Sequence, residues 1–217
     1  MKKILIMVIF CATVLFADDV NTTTTLNQTE IDKIEKEIIT KALENKNYNE
    51  ITSYGLVFLV NSVDFDGDKE KLRARGKELL QIASDNYNLS ASLLLVVNYL
   101  WADPLYVHSI AHSVLKNHSK HLYFDGEYAQ YANSFATIYA ALVLEHFPQD
   151  KAGVELAINS LQELKDKDEH IYFYLAHLYR VQNNHQLADE NLNKACLNAA
   201  DLKIKSVCKT LDLGENK

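Results

Sequence analysis

Apolar residues that recur at intervals of 40 constrain the fold of this chain more than any other feature. Within each interval the recurring positions fall at offsets of 0, 4, 5 and 8, which share one face of an α-helix. They are Ile51, Ala91, Tyr131 and Ile171; Gly55, Leu95, Phe135 and Leu175; Leu56, Val96, Ala136 and Ala176; and Leu59, Tyr99, Tyr139 and Tyr179. The spacing predicts an all-α solenoid of helix pairs, with an irregular α-bundle as the alternative.

Apolar residues recur at helical spacing from residue 30 to the C-terminal region. This stretch contains only two prolines, so little interrupts helix formation. The sequence "TEID" (29–32) matches a capping box, and Asp103 followed by Pro104 matches a cap with proline at the first helical position. We predict helices over 30–45, 49–63, 68–85, 89–101, 104–119, 126–146, 150–166, 169–183, 185–199 and 201–212. Because the connections are short, consecutive helices are expected to be antiparallel neighbours.

The N-terminus has the pattern of a secretory signal peptide. Lys2 and Lys3 precede an apolar run over 4–16, and the small residue Ala17 precedes an abrupt change to acidic side chains. The run is shorter than the roughly 20 residues that span a bilayer. We therefore predict a signal peptide over 1–17, cleaved after Ala17, and a periplasmic or secreted bacterial protein without stable membrane insertion. A retained membrane anchor is the alternative.

Residues 18–29 are rich in Thr and Asn and have no hydrophobic period, so they predict a flexible tether before a single helical domain over 30–217. Within the tether, the sequence "DVNTT" (19–23) resembles the extended bacterial N-glycosylation sequon. Asn21 is therefore a candidate glycosylation site, and an unmodified linker is the alternative.

The charge of the chain excludes one class of partner. The formal net charge is −7 at pH 7, and removal of Lys2 and Lys3 with the leader makes the remaining chain more acidic. Nucleic-acid binding needs clustered Lys and Arg to neutralise phosphates, and the sequence has no basic run. We therefore predict no nucleic-acid partner.

The segment "YFYLAHLYRVQNNHQLADENLNKAC" (172–196) follows the tetratricopeptide pattern without gaps. In its first helix the large, small and aromatic positions of the pattern are Leu175, Ala176 and Tyr179. In its second helix the small, large and small positions are Ala188, Leu192 and Ala195. Small residues let helices approach closely, and large ones fill the groove between pairs. The resemblance to the tetratricopeptide-repeat superfamily implies a right-handed solenoid of about five antiparallel helix pairs, closed by a C-terminal capping helix near 201–212.

The segment "LLQIASDNYNLSASLLLVVNYL" (79–100) resembles the hairpin junction of the Sel-like branch of this superfamily. The matching residues are Ala83, Asn86, Ala91, Leu95 and Tyr99. The interval of 40 residues is longer than the repeat of the family, so an irregular superhelix is compatible with the sequence.

Cys196 and Cys208 resemble the cysteine pair of the secreted Sel-like proteins, in which two thiols bridge adjacent helices. Since Cys11 leaves with the leader, the remaining count of cysteines is even, and the resemblance implies a disulfide between them. The spacing is longer than in those proteins, and a turn at 199–200 implies a mismatch of roughly 5 Å along the helix axes. A partial zinc site with His185 is the alternative.

The resemblance implies a non-enzymatic protein that binds a protein or peptide partner on its inner helices. Such a protein acts as an adaptor or scaffold in an envelope-associated assembly for motility, secretion or cell-wall synthesis, and no cofactor is implied. The candidate partner-binding residues are Asn98, Tyr99, Tyr139, Tyr172, His177 and Arg180. The alternative is a Sel-like enzyme that binds or hydrolyses β-lactams or peptidoglycan, for which the chain shows no catalytic motif.

Two stretches offer weak metal-site candidates. His108 and His112 have i, i+4 spacing on one helix face, with His118 and His121 nearby, so an irregular α-bundle with a metal-binding histidine cluster is an alternative. The sequence "DFDGDKE" (64–70) resembles a calcium loop but lacks the glycine and the final glutamate that such loops require. Solvated histidines and an acidic helix cap are the favoured interpretations.

Overall fold

A computed structural model describes residues 27–63, 65–117, 127–197 and 199–215. Within these residues the chain forms ten helices and no strand, which confirms the predicted all-α class. The first helix, α1, is made of Gln28–Ile34, a π-helical segment Glu35–Ile39, and Thr40–Glu44. The others are α2 (Tyr48–Asn61), α3 (Lys69–Asp85), α4 (Leu89–Tyr99), α5 (Pro104–Lys116), α6 (Glu127–His146), α7 (Lys151–Glu163), α8 (Glu169–Val181), α9 (His185–Leu197) and α10 (Leu202–Glu215).

Asparagine and aspartate side chains begin many of these helices. Asn47, Asn88 and Asp168 each accept a hydrogen bond from the backbone N–H three residues later, at 3.3, 2.9 and 3.0 Å. Asp103 does the same ahead of Pro104, at 3.0 Å, as the sequence predicts. Each cap satisfies a donor that the first turn of a helix leaves open.

Helix α1 begins earlier than the sequence indicates. The Asn27 side chain accepts from the Glu30 N–H at 3.1 Å, and the Glu30 carboxylate accepts from the Asn27 N–H at 2.9 Å. The capping box predicted at 29–32 is therefore wrong, because Glu30 has the longer side chain that reaches back to a cap and Asp32 does not. Residues 28 and 29, predicted as tether, belong to the helix.

Three junctions between consecutive helices share one backbone geometry. Lys46, Tyr87 and Asn183 have positive φ angles of 54°, 66° and 59°. The N–H of the following residue donates to a carbonyl five positions back, as in a Schellman motif. Those following residues, which also cap the next helix, are Asn47, Asn88 and Asn184. The junctions end α1, α3 and α8.

The chain divides into two compact units. Of the described residues, the first contains 27–63, 65–110, 117 and 127–128, and the second contains 111–116, 129–197 and 199–215. Among the described residues, the first unit holds α1–α4 and most of α5, and the second holds the end of α5 and α6–α10, with α6 counted from residue 129. The single domain over 30–217 stays a prediction.

Two glycines set the spacing of α2 and α3 in the first unit. A Cβ on Gly76 would lie 2.8 Å from the Gly55 carbonyl oxygen and 2.9 Å from the Leu59 backbone nitrogen. A Cβ on Gly55 would meet the Leu80 side chain at 2.9 Å. Since Gly55 meets Leu80 while the later Leu59 meets the earlier Gly76, the two helices are antiparallel. The missing side chains allow their backbones to touch.

The positions that recur at intervals of 40 lie mostly in the cores of their units. All sixteen are buried except Leu56 and Tyr99, which are half-buried. Phe135 and Tyr139 are among the largest fully buried side chains of the described residues. The pattern therefore identifies the core face of α2, α4, α6 and α8.

Candidate functional site

The end of α4 and the start of α5 bring two predicted partner-binding residues close to a tryptophan that was not predicted. Asn98 is exposed, and its side-chain amide donates to the Leu94 carbonyl at 2.7 Å, while Tyr99 is half-buried. Trp101 is 59% exposed in the following turn, and Leu105 is 65% exposed in the first turns of α5. Asn98, Tyr99, Trp101 and Leu105 are called the Trp101 surface below.

The backbone around Trp101 is held in a tight turn. The N–H groups of Ala102 and Asp103 both donate to the Tyr99 carbonyl, at 3.0 and 2.9 Å. Asp103 then caps α5, so the turn is fixed at both ends. Trp101 is the only tryptophan of the chain, and its position just before "DP" is the sequence signal that indicates a turn. A large aromatic side chain in a turn has little core to enter.

The Tyr99 ring contacts the ring of Tyr106 and the ammonium group of Lys77. The Tyr99 and Tyr106 rings are T-shaped, with centroids 5.6 Å apart and an interplanar angle of 88°. The Lys77 ammonium lies 4.3 Å from the Tyr99 centroid and 4.0 Å from the Tyr106 centroid, which is a cation–π geometry. The Tyr106 hydroxyl donates to the Gln81 side chain at 2.5 Å. These contacts fix the orientation of Tyr99.

The predicted residues of α8 interact with side chains of α8 and α9. The His177 ring packs against Phe173 with centroids 4.5 Å apart, and burial, followed by the nearby Arg180 charge, lowers the pKa of His177. Arg180 pairs with Asp189 at 3.7 Å, in a geometry open to solvent. The Lys194 ammonium lies 5.7 Å from the Tyr172 ring centroid. Tyr172 and His177 are half-buried, whereas Trp101 and Leu105 are exposed.

Tyr139 lies in the core of the second unit, and its prediction as a partner-binding residue is wrong. The residue is 0% exposed, and its hydroxyl lies 3.0 Å from Nδ1 of His112. The physical reason is its place in the repeat, since it stands at the core-facing offset of 8 like Leu59 and Tyr179. A side chain without exposed surface offers a partner no contact area.

In the described part of the chain, no group of three or more His, Cys, Asp or Glu side chains is placed to hold a metal ion. His108 and His112 both lie on α5, whereas His118 and His121 lie outside the described residues. Asp68 accepts a hydrogen bond from the Lys71 N–H at 3.0 Å, which confirms the acidic cap of α3.

Cys196 and Cys208 form a disulfide that joins α9 to α10, with their Cα atoms 5.7 Å apart. Helix α9 ends at Leu197 and α10 begins only at Leu202, so the connection is longer than the turn predicted at 199–200. This extra length removes the mismatch along the helix axes that the sequence predicts. Since the two sulfurs are bonded to each other, the zinc-site alternative with His185 is wrong.

Glu169, at the start of α8, anchors the connection that follows α9. Its Oε1 accepts hydrogen bonds from the Ala200 and Asp201 backbone N–H groups at 2.9 and 3.1 Å, and these bonds, Ala200 first, lower the pKa of Glu169. Asp201 in turn accepts from the Ile204 N–H at 3.2 Å and caps α10, while Ile204 is 2% exposed. The terminal helix is thus held by a disulfide, a carboxylate and a buried side chain.

Tyr106 and Tyr139 are expected to ionise late in an alkaline titration. Burial is the main cause that raises the pKa of each phenol to about 12. The nearby Tyr99 adds to the effect on Tyr106, and the Asp150 charge adds to the effect on Tyr139. In the unfolded chain both phenols ionise near pH 10, so this stabilising contribution is complete below about pH 10 and is lost as the pH rises to about 12. Ultraviolet titration should show one late-ionising phenol fewer in each of Y106F and Y139F. Loss of an early-ionising phenol instead would contradict the assignment.

Asn21 and the predicted signal peptide lie outside the described residues, so the structure bears on neither. None of the helices over 27–63, 65–117, 127–197 and 199–215 is long and apolar enough to cross a membrane. Comparison of the chain with protein-family models, with curated proteins and with solved structures finds no match.

Proposed function

We propose that this chain is an adaptor that binds a protein or peptide partner through the Trp101 surface. The observation that carries the proposal is the exposure of the single tryptophan, at 59%, close in sequence to Leu105 at 65%. Tryptophan and tyrosine are the side chains most enriched among residues that dominate binding energy at protein interfaces. A buried tryptophan removes about 150–250 Å² from water, so an exposed one is a large area available to a partner.

The rigidity of this surface supports a binding role. Two hydrogen bonds to the Tyr99 carbonyl fix the turn that carries Trp101, and Lys77 and Tyr106 fix the Tyr99 ring. A surface that is ordered before binding loses little conformational entropy when a partner docks. We infer that the partner presents an apolar pocket that receives Trp101 and Leu105, with Asn98 and Tyr99 at its edge.

The predicted residues of α8 are kept as secondary candidates. Tyr172, His177 and Arg180 lie on or beside a half-buried aromatic face, and Arg180 is the most exposed of the three. Arginine is enriched at interfaces, and the pair with Asp189 at 3.7 Å is open enough to exchange for a partner carboxylate.

We also propose the setting of this adaptor: a tetratricopeptide-like, Sel-like solenoid of about five helix pairs, exported to the periplasm or secreted, and part of an envelope-associated assembly. Support for the repeat comes from the recurring core positions and from the shared geometry of three helix junctions. Support for export comes from the basic and apolar N-terminus and from the disulfide, because disulfides persist in oxidising compartments.

Site-specific photo-crosslinking in cells tests the binding proposal. A photoreactive phenylalanine analogue is placed at Trp101 or at Leu105, and a matched control carries it at Val63, which is 69% exposed in the same unit. We expect one discrete adduct from positions 101 and 105 and none from position 63. The same adducts from all three positions, or no adduct from 101, would contradict the proposal.

A further inference from the structure

A cavity of about 520 Å³ opens among α1, α2 and α3 of the first unit, and is called the α1–α3 pocket below. Its walls include four apolar side chains that are themselves no more than 7% exposed: Ile31, Phe58, Phe65 and Leu72. Small-ligand pockets in proteins have volumes of roughly 300–1,000 Å³ and mostly apolar linings. The α1–α3 pocket therefore has a volume and buried apolar lining residues like those of small-ligand binding sites.

The rim of the pocket is acidic. Four carboxylates line it against two cations, which are Lys71 and Arg75. Arg75 is already paired with two of these carboxylates, because its guanidinium lies 2.6 Å from the Glu35 carboxylate and 2.8 Å from that of Glu78. In the described part of the chain, no lysine or arginine pairs with the other two rim carboxylates, Asp32 and Asp68. Both are exposed. Oδ1 of Asp32 accepts from the Gln28 side-chain amide at 2.8 Å and Oδ1 of Asp68 caps α3, so the second carboxylate oxygen of each is the one that would meet a cationic group.

The part of α1 that lines the pocket ends at an irregular segment, of which Glu35 lines the pocket. Glu35 begins the π-helical part of α1, and the Thr40 N–H and hydroxyl both donate to the Glu35 carbonyl, the hydroxyl at 2.9 Å. The Glu35 carboxylate also accepts from Arg75 with both oxygens, at 2.6 and 3.0 Å. Segments of π-helix inside α-helices occur frequently at functional sites. Backbone and side chain together hold this segment in place.

We propose that the α1–α3 pocket binds a peptide segment in which an apolar side chain is flanked by lysine or arginine. The apolar side chain lies against Ile31 and Leu72, which line the pocket and are 7% and 4% exposed, and the cation pairs with Asp32 or Asp68. Complementary charge at the rim speeds association and rejects acidic segments. The proposal does not depend on the Trp101 surface, with which the pocket shares no residue.

Fluorescence anisotropy with defined peptides tests the pocket in the full folded protein. The probe is a labelled heptapeptide of alternating lysine and leucine. One control peptide has glutamate in place of lysine, and a second has serine in place of leucine. We expect the probe to bind, the glutamate peptide not to bind, and the affinity of the probe to fall as salt is raised. Equal binding of the lysine and glutamate peptides would overturn the charge complementarity.

A matched pair of variants locates the binding. Ala74 is exposed and lines the pocket, so Ala74→Trp obstructs the cavity without entering the core. Ala152 is an exposed helical alanine of the second unit, and Ala152→Trp is the control. We expect Ala74→Trp to weaken binding of the probe at least about tenfold and Ala152→Trp and Trp101→Ala to leave it unchanged. Binding to Ala74→Trp with wild-type affinity would exclude the pocket.

Two charge variants keep the test decisive even if the tryptophan disturbs folding. Asp32→Asn removes a rim carboxylate, and Lys71→Glu replaces a rim cation near the N-terminus of α3, where a carboxylate is favourable. We expect the first to weaken and the second to tighten binding of the lysine–leucine peptide, each about threefold at low salt. Changes in the same direction, or none in either variant, would refute cation recognition at this rim.

Discussion

Replacing Gly76 with alanine is expected to lower the free energy of unfolding by about 2–3 kcal/mol. In an unconstrained helix the same change stabilises by about 1 kcal/mol, because alanine is the better helix former. Here the new Cβ would lie 2.8 Å from the Gly55 oxygen and 2.9 Å from the Leu59 nitrogen, which are backbone atoms. They cannot rotate away, so α2 and α3 must separate. Urea unfolding followed by circular dichroism measures the change.

Gly153→Ala is the control for that prediction. A Cβ on Gly153 would meet the carboxylate of Asp150 at 2.6 Å, which is the end of a flexible side chain, and the Tyr139 hydroxyl at 3.2 Å. Because the carboxylate can move, we expect a loss smaller than about 1 kcal/mol. A Gly76→Ala variant as stable as the wild type would show that the close approach of α2 and α3 is wrong.

Removal of the disulfide between Cys196 and Cys208 is expected to lower the free energy of unfolding by about 3 kcal/mol. The bond closes a loop with a sequence separation of 12, and opening it increases the conformational entropy of the unfolded chain. Unfolding of the C196S/C208S double variant, compared with the oxidised wild type, measures the loss. The reduced wild type should match the double variant.

Thiol labelling supplies the independent check on the disulfide. In native, unreduced protein freed of residues 1–17, neither Cys196 nor Cys208 should react, and both should react after reduction. Two reactive thiols in the native protein, or identical unfolding curves before and after reduction, would contradict the bond. The Glu169 carboxylate and the buried Ile204 should keep α10 partly attached after reduction.

Helix positions were predictable because two local signals agree along most of the chain. Apolar spacing of three and four fixes each helix, and an Asn or Asp cap such as Asn88 or Asp168 fixes where it begins. The recurring register of 40 residues also predicted which face is buried. The register alone led to the error at Tyr139, because Tyr139 is fully buried whereas Tyr99 at the same offset is half-buried.

Other features depend on tertiary contacts that leave no local pattern. The π-helical segment at Glu35 accompanies a bidentate pair with Arg75, 40 residues away, so no window of the sequence indicates it. The α1–α3 pocket needs side chains from three helices and one connection. Trp101 offered a signal that was missed, because a single tryptophan in a turn ahead of "DP" has little core to enter.

The affinity of the partner captured at position 101 tests the binding claim most directly. Titrated with purified partner, the wild type should show Trp101 emission moving to shorter wavelength as the indole leaves water. Trp101→Ala should bind at least about thirtyfold more weakly, as expected for a residue that dominates an interface, and Val63→Ala should bind like the wild type. Equal affinity of Trp101→Ala and the wild type would contradict the account.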